Sequence, residues 1–284
     1  MTDLLDRLPA VAGRFYPSDP DELREDIAAF LAEAEEQADD DAGAETIAIV
    51  SPHAGYVYCG GVAGHSYREV AGKSFARVVV LSPSHTMSVS GVALHPAGSF
   101  RTPLGAVPID EEGTAALLMR APGFFHVDPE PHRLEHGIET QLPFLQQSIE
   151  GDFSLVPLII GAHDLGFAEN LARYLSETFD AKDTLYIASS DLSHYHPYDV
   201  ANQIDGLLLE LLEAMDLEKL ARGLELGEIE ACGAGAILTA ALIAREQSGG
   251  ACRFLHYENS GDRGGDRDEV VGYSSFVWSR EGSG

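Results

Sequence analysis

The sequence predicts an α/β fold with a mostly parallel central sheet and helices on both faces. Short aliphatic runs followed by Ser or Pro recur at 46–51, 77–82, 154–160 and 184–189, which is the pattern of buried parallel strands that exit into loops. Helical segments separate these runs, so strands and helices alternate through most of the chain. No stretch rich in Pro, Gly or Ser divides the chain, and we therefore expect a single domain over residues 1–284.

The predicted helices are bounded by capping residues and by changes of hydrophobic period. The first begins after Ser18 or Asp19, either of which can cap it, and has Pro20 near its first position. The other helices are predicted at 61–71, 111–120, 138–149, 166–178, 201–213, 217–223 and 234–247. Two final strands, 252–258 and 270–278, are joined by a loop rich in Gly and Asp, so we expect an antiparallel hairpin at one edge of the sheet.

The chain is strongly acidic, and this argues against several classes of function. It has 46 Asp and Glu against 18 Lys and Arg, a formal net charge of −28. Such a charge repels phosphate backbones and anionic lipid surfaces, so we expect neither nucleic-acid nor membrane binding. No apolar run of about 18 residues is present, and the three cysteines have no CxxC spacing. We therefore predict a cytoplasmic protein without disulfides or a zinc ribbon.

Three histidines follow predicted strands at comparable positions. His53 comes after IAIVSP, His85 after VVVLSPS, and His194 after LYIASSDLS. Because ligands of open α/β sheets bind beyond the carboxyl ends of the strands, these imidazoles are candidates for one shared site. Neutral imidazole is the commonest metal ligand and also an acid/base group, so a metal or acid/base site is predicted. The carboxylate of Asp191 is the candidate partner that orients an imidazole.

Cys232 and two tyrosines are further candidates. Cys232 immediately precedes a helix of small residues, whose N-terminus should lower the thiol pKa; the alternative is an inert buried cysteine. Tyr56 and Tyr58 follow His53 in a Gly-rich segment that is predicted to be a loop. We expect one or both tyrosines to line the pocket, with core packing as the alternative.

A group of polar residues precedes the helix predicted at 138–149. The segment PHRLEHGIETQLPFL contains His132, His136, Glu135 and Glu139. We assign His136 to the rim of the pocket. The alternative is that the group caps the helix and forms salt bridges, and the sequence leaves it open.

Several longer motifs occur in a fixed order along the chain. They are PAVAGRFYP, SPHAGYVYCGG, LSPSHT, EHGIETQLPFL, SSDLSHY and ACGAGAI. In these motifs the chain resembles the Memo family, the Memo part of the AmmeMemoRadiSam group, over essentially its whole length. It departs from the family patterns at Gly137 and Ala236, where Ser and Pro are expected.

The resemblance implies a fold similar to that of class III extradiol dioxygenases of the protocatechuate 4,5-dioxygenase type. Those enzymes hold non-haem Fe(II) with two His and one Glu. His53 and His85 correspond to the two His ligands, Cys232 stands in place of the Glu, and His194 matches the acid/base residue. Because a thiolate is a softer ligand than a carboxylate, we expect Fe(II) or Cu at the site, with Zn as the alternative.

Three functions are compatible with these residues. The first is a metal-dependent redox enzyme, similar to a dioxygenase, that acts on a small molecule of unknown identity with His194 and Asp191 in proton transfer. The second is a thiol enzyme or hydrolase with Cys232 as nucleophile and His194 as base. The third is a protein-binding scaffold with a vestigial site, which docks the radical SAM or AMMECR1-like partner that the group name implies.

The acidic surface also predicts a dependence on salt. We interpret the excess of Asp and Glu as the adaptation of a haloarchaeal-type cytoplasm, because high salt screens the repulsion between like charges. The midpoint of thermal unfolding is expected to fall when the protein is dialysed from concentrated KCl into dilute buffer. An unchanged midpoint, measured by circular dichroism, would argue against this interpretation.

Overall fold

The computed structural model describes residues 6–36, 45–248 and 251–280 and confirms the predicted α/β class. Its helices, in chain order, are α1 (Pro20–Glu36), α2 (Tyr56–Arg68), α3 (Glu111–Arg120), α4 (His136–Glu139), α5 (Gln141–Ser148), α6 (Leu165–Thr178), α7 (Tyr198–Glu213), α8 (Leu217–Leu226) and α9 (Ala234–Ser248). Its strands are β1 (Glu45–Ser51), β2 (Arg77–Pro83), β3 (Val92–Leu94), β4 (Ser99–Thr102), β5 (Gly105–Pro108), β6 (Phe125–Val127), β7 (Ser154–Ile160), β8 (Thr184–Ser189), β9 (His194–His196), β10 (Cys252–Asn259) and β11 (Val270–Arg280).

The described strands form one large sheet and one small hairpin. The large sheet has the order β10-β11-β1-β8-β2-β7-β3-β6, and β9 pairs with β11 outside this order. The central strands β1, β8, β2 and β7 are parallel to their neighbours in this group. On the two sides, β11 is antiparallel to β1 and β3 is antiparallel to β7. This mostly parallel centre, covered by helices, is consistent with a class III extradiol dioxygenase-like fold.

Helices cover both faces of the sheet. Along β2, Val79 and Leu81 belong to one core cluster, whereas Val78 and Val80 belong to the other. The first cluster includes residues of α3, α6, α7, α8 and α9, and the second includes residues of α1, α2, α4 and α5. Because both faces are buried, the central strands read as continuous apolar runs. Within the described residues, no helix combines the length and apolar character needed to cross a membrane.

The longer predicted elements are confirmed, but the short strands were not predicted. The closing hairpin is present, with β10 at the edge of the sheet. The strands β3, β6 and β9 have three residues each, too few for an alternating pattern to stand out. Asp19 caps α1 by accepting the Asp21 N–H at 2.9 Å. The helix predicted at 138–149 is two helices, α4 and α5. The assignment of the chain to a single domain stays a prediction.

The helix predicted at 61–71 begins earlier, at Tyr56. Gly60 and Gly64 lower the helix propensity of this segment, but both lie against α1. A Cβ atom added to Gly60 would lie 2.4 Å from the Phe30 ring, and one added to Gly64 would lie 2.4 Å from the Phe30 carbonyl oxygen. The glycines therefore let α1 and α2 pack closely, and this packing outweighs their weak propensity.

A buried carboxylate anchors the N-terminal segment to the fold. Glu139, at the end of α4, accepts the N–H groups of Ala10 at 2.8 Å and Val11 at 3.0 Å. It also accepts the Tyr16 hydroxyl at 2.5 Å and forms an ion pair with Arg7. Because the side chains of Arg7 and Glu139 are only 2% and 0% exposed, the loss of either one would leave a buried charge without its partner.

Replacement of Glu139 by Gln is expected to lower the free energy of unfolding by about 3 kcal/mol, because the Arg7 guanidinium would lose its buried counter-charge. Chemical denaturation followed by circular dichroism measures the change. The matched control is Arg24→Gln, which breaks an exposed ion pair with Asp21 and is expected to cost less than about 1 kcal/mol. Equal and small effects from the two variants would contradict the anchoring role of Glu139.

Candidate metal centre

Three neighbouring parallel strands deliver the candidate site. β1, β8 and β2 lie side by side in the sheet. His53, Asp191 and His85 each stand two residues past the carboxyl ends of these strands. Their side chains therefore collect at one edge of the sheet, where open α/β sheets bind their ligands.

A network of hydrogen bonds fixes the His53 ring. The Ser189 hydroxyl donates to the Gly137 carbonyl oxygen at 2.6 Å and accepts from the Gln141 amide at 2.9 Å. Since the hydroxyl has a single proton, its 2.8 Å contact with His53 Nδ1 is one in which Nδ1 donates. This assignment leaves Nε2 unprotonated, as a metal ligand must be. Burial, followed by the charge of His85, lowers the pKa of His53 to about 3, so the ring is neutral at neutral pH.

The carboxylate of Glu135 holds His85. It accepts the His85 backbone N–H at 2.7 Å and the Nδ1–H at 2.8 Å, and it caps α4 by accepting the Gly137 N–H at 2.9 Å. Burial by itself raises the pKa of Glu135, but the hydrogen bonds and charge of His85 outweigh it and lower the pKa to about 2. For His85, burial by itself lowers the pKa, but the bond to Glu135 outweighs it and raises the pKa.

His136 joins the two strand-end histidines. It is the first residue of α4, and one ring nitrogen from each of His53, His85 and His136 lies within 4.8 Å of the other two. The centroid of its ring is 5.3 Å from that of His53 and 4.5 Å from that of His85. Burial, followed by the charge of His53, lowers the pKa of His136 to about 4. The neutral imidazoles of His53 and His136, together with His85, form a group that can hold a metal ion.

Cys232 precedes α9, which covers the face of the sheet opposite to α4. Its Sγ atom lies 3.2 Å from His53 Nε2 and accepts the Asp191 N–H at 3.2 Å. This approach depends on Gly233, because an added Cβ would lie 2.4 Å from the Ser189 carbonyl oxygen. The expectation of a lowered thiol pKa is wrong: burial and the charge of Asp191 raise it, and they outweigh the backbone hydrogen bonds that favour the thiolate. The ligand set of His53, His85 and Cys232 stays a prediction.

His194 and Asp191 lie at the same edge of the sheet. His194 Nδ1 donates to the Leu192 carbonyl oxygen at 2.8 Å, which leaves Nε2 free to accept a proton. Asp191 accepts the backbone N–H of His53 at 2.8 Å, and Ser189 and Glu135 supply the ring-orienting bonds that the sequence assigned to Asp191. Burial raises the pKa of Asp191. The catalytic assignment of His194 and Asp191 stays a prediction.

Tyr56 and Tyr58 lie in the first turn of α2 rather than in a loop. The Tyr56 hydroxyl donates to the Thr140 carbonyl oxygen at 2.6 Å, and its ring packs against Phe144 in the core. Tyr58 is 40% exposed. The assignment of the two tyrosines to the pocket stays a prediction.

Two cavities flank the strand-end residues. One, of about 180 Å³, is lined by Cys232, His163, Pro83 and Ile160 together with residues of the first turn of α9. The other, of about 460 Å³, is lined by His85 and the segment that follows it. Small-molecule sites are typically about 300–1,000 Å³, so the carboxyl edge of the sheet has room for a small ligand.

Comparison with known proteins identifies the family. A family model described as Memo-like protein matches residues 7–277. The chain belongs to the Memo family. It is similar to a MEMO1 family protein of Methanopyrus kandleri, with 38% identity over 285 residues, or 97% of this chain and 100% of that protein. MEMO1 family proteins of Methanobrevibacter smithii (37% over 281 residues; 96% and 99%) and Thermoplasma volcanium (36% over 275 residues; 97% and 99%) are similar over comparable lengths.

Gly137, where Ser is expected from the resemblance to the Memo family, lies in close contact with its neighbours. A Cβ atom added there would lie 2.3 Å from Ser82 Oγ and 3.3 Å from His53 Nδ1. Ser82 is fully buried and donates to the Pro83 carbonyl oxygen at 3.0 Å. A side chain at position 137 therefore competes with the Ser82 hydroxyl for one space. Ala236, where the resemblance leads us to expect Pro, lines the cavity beside Cys232.

Reasoning from the sequence missed the residues that orient the imidazoles. Ser189 ends a strand and Gln141 lies in a helix, and hydrophobic periodicity marks neither position as functional. Glu135 was recognised as a capping candidate, and this is confirmed, but its bonds to His85 depend on contacts 50 residues apart in sequence. The motif EHGIETQ carried the signal, since it contains both Glu135 and Gln141.

The Gly137–Ser82 contact predicts a coupled pair of substitutions. Gly137→Ala is expected to destabilise the protein by about 1–3 kcal/mol, because the new methyl group forces Ser82 and then His53 to move. Combining it with Ser82→Ala, which removes the competing oxygen, should recover about 1 kcal/mol of this loss. Denaturant unfolding of the wild type, both single variants and the double variant gives the coupling free energy. Strictly additive effects would show that the two positions do not compete.

Proposed function

We propose that this Memo-family protein is a redox enzyme that binds a transition-metal ion at the histidine cluster and acts on a small molecule. The observation that supports the proposal is the set of three ring nitrogens, from His53, His85 and His136, within 4.8 Å of one another. Cys232 Sγ, at 3.2 Å from His53 Nε2, adds a fourth candidate donor. Fe(II) and Cu are the ions that we expect, with Zn as the alternative.

The donor set fits such an ion. Imidazole suits Zn, Cu and Fe, and a thiolate adds preference for softer ions over Mg²⁺ or Ca²⁺. The rings of His53 and His85 are held through Nδ1 by Ser189 and Glu135, which is the arrangement that orients metal-binding histidines. When bound, Fe(II) or Cu would supply a Lewis acid and a one-electron redox centre, whereas Zn would supply a Lewis acid alone.

The third ligand is either Cys232 or His136 in this proposal. His136 is neutral at neutral pH and needs no proton loss to bind. Cys232 must first lose the thiol proton, which burial holds in place, so binding through Cys232 would release a proton. The resemblance to extradiol dioxygenases favours Cys232, whereas the converging nitrogen atoms favour His136.

His194 and Asp191 would move protons beside the ion. His194 has a fixed Nδ1–H and a free Nε2, which is the form that a general base requires. The raised pKa of Asp191, which results from burial, brings its carboxyl group closer to the range where it can exchange a proton.

A thiol enzyme is the second candidate function. The 3.2 Å contact between Cys232 Sγ and His53 Nε2 favours it, because an imidazole in hydrogen-bond reach can accept the thiol proton. In this version His53, rather than His194, is the base. The raised pKa of Cys232 opposes it. The scaffold hypothesis, with a radical SAM or AMMECR1-like partner, remains a third proposal and would need no metal.

Metal titration of single variants tests the assignment. Cys232→Ser is expected to lower the affinity for Cu(I) or Zn by at least about tenfold while changing that for Mg²⁺ little, because it removes the soft ligand. His194→Ala should leave metal affinity unchanged, because an acid/base residue is not a ligand. His126→Gln, which alters a histidine of β6 outside the cluster, is the matched control. Anaerobic calorimetry and elemental analysis of protein purified without chelator give the measurements.

The titrations should also depend on pH with a defined sign. Metal binds the neutral ring of His85, whose pKa is raised by the bond to Glu135, so the affinity should weaken as the pH falls through that raised pKa. His53 and His136, with pKa values near 3 and 4, stay neutral throughout this range. Loss of binding in His136→Ala but not in Cys232→Ser would assign the three-histidine set. Failure of the wild type to bind any of these transition metals would contradict the proposal.

A further inference from the structure

The backbone of the loop that carries His194 is pinned at three points. The Leu192 N–H donates to the Gly272 carbonyl oxygen at 2.8 Å, and the Gly272 N–H donates to the Ser193 carbonyl oxygen at 2.9 Å. The Ser193 N–H donates to Asp205 Oδ1 at 3.0 Å. The remaining polar group of this dipeptide, the Leu192 carbonyl, accepts His194 Nδ1–H at 2.8 Å. The direction of that carbonyl, and with it the His194 ring, is therefore set by the other three bonds.

Asp205 supplies the side-chain contact among these bonds, and it comes from α7 rather than from the sheet. Its side chain is fully buried. The second carboxylate oxygen accepts the Tyr257 hydroxyl at 2.8 Å, and that hydroxyl also lies 3.1 Å from Asn202 Oδ1. Burying a carboxyl group costs free energy, and the α7 backbone does not need this one. The bond between Asp205 and the Ser193 loop therefore calls for an explanation.

The backbone of β11 leaves space for this carboxylate. Gly272 lies on β11, and a Cβ atom added there would lie 1.9 Å from Asp205 Oδ2. Strands disfavour glycine, so its presence at the point where the loop, β11 and α7 meet indicates that the close approach matters. Gly272 also makes both of its backbone hydrogen bonds to the same dipeptide, Leu192 and Ser193.

We propose that Asp205 is a positioning residue that fixes the orientation and the Nδ1–H tautomer of His194 through the Ser193 N–H. The importance of His194 Nε2 as a base rests on the proposed function above. The control of the His194 tautomer by Asp205 does not rest on it, because the tautomer is measured without substrate or metal. Asp205 contacts the loop and not the candidate metal ligands, so it should act on His194 alone.

The test is the tautomer of His194, read from the ¹⁵N chemical shifts of its two ring nitrogens in the full-length protein. The His194→Gln variant assigns the signals among the 11 histidines. In the wild type, Nδ1 should carry the proton. In Asp205→Ala the loop loses its side-chain anchor, and the shifts should move toward the Nε2–H tautomer that a histidine side chain favours in water.

Asp205→Asn is the conservative variant and should retain the wild-type tautomer. Its Oδ1 can still accept the Ser193 N–H, while its amide can donate to the Tyr257 hydroxyl as that proton turns to Asn202. Tyr257→Phe is the matched control, because it removes the other partner of Asp205 and should leave the His194 shifts unchanged. If Asp205→Ala does not fold, Gly272→Ala perturbs the same junction from the strand side and should produce the same shift.

Metal binding separates this inference from the proposed function. Titration of Asp205→Ala with Zn²⁺ should give wild-type affinity, since His53, His85, His136 and Cys232 keep their own contacts. A folded Asp205→Ala protein with wild-type His194 shifts would overturn the positioning role, whatever the metal result. Failure of the wild type to bind metal, with the tautomer shift still present in Asp205→Ala, would overturn the proposed function and leave the positioning role intact.

Discussion

The buried carboxylate of Glu135 is the interaction on which the candidate site depends. It joins the loop after β2 to the first turn of α4, because one group accepts two N–H groups of His85 and also caps the helix at Gly137. A carboxylate can stay out of water only when several donors satisfy it, and here those donors are parts of the site. His85 cannot rotate without leaving this charge poorly bonded, and the cap fixes where α4 presents His136. At the end of the same helix, Glu139 anchors the N-terminal segment in a comparable way.

Three kinds of acceptor hold the Nδ1 protons of the site histidines. A hydroxyl holds His53, a carboxylate holds His85, and a backbone carbonyl holds His194. In all three arrangements Nδ1 carries the proton and Nε2 is the unprotonated nitrogen. The carboxylate of Glu135 stabilises the His85 imidazolium, so the pKa of His85 is raised, whereas burial lowers the pKa of His53. As the pH falls, protons therefore compete with a ligand for His85 at a higher pH than they do for His53.

The sequence predicts the parts of this site that depend on local pattern. His53 and His85 follow strands of ordinary length, and the alternation of strands and helices implies that parallel strands end at one edge, so their convergence could be predicted. The thiol pKa of Cys232 could not, because it results from burial and from Asp191, 41 residues away in sequence. The helical start at Tyr56 was hidden by glycines whose purpose is contact with α1. Short strands and hydrogen-bond partners were likewise set by tertiary packing.

The identity of the proposed metal ion would decide which residue becomes its third ligand. His136 and Cys232 come from segments next to α4 and α9, which cover opposite faces of the sheet, and both lie close to His53. A neutral imidazole binds without proton loss, whereas the buried thiol must give up a proton that the charge of Asp191 helps it to retain. Only an ion with strong affinity for sulfur, such as Cu(I) or Zn, gains enough from the thiolate to offset that cost. A less thiophilic ion, or a lower pH, shifts the balance toward His136. The arrangement of Glu135, Ser189 and Asp191 would thus leave two ligands in place and let the identity of the ion decide the third.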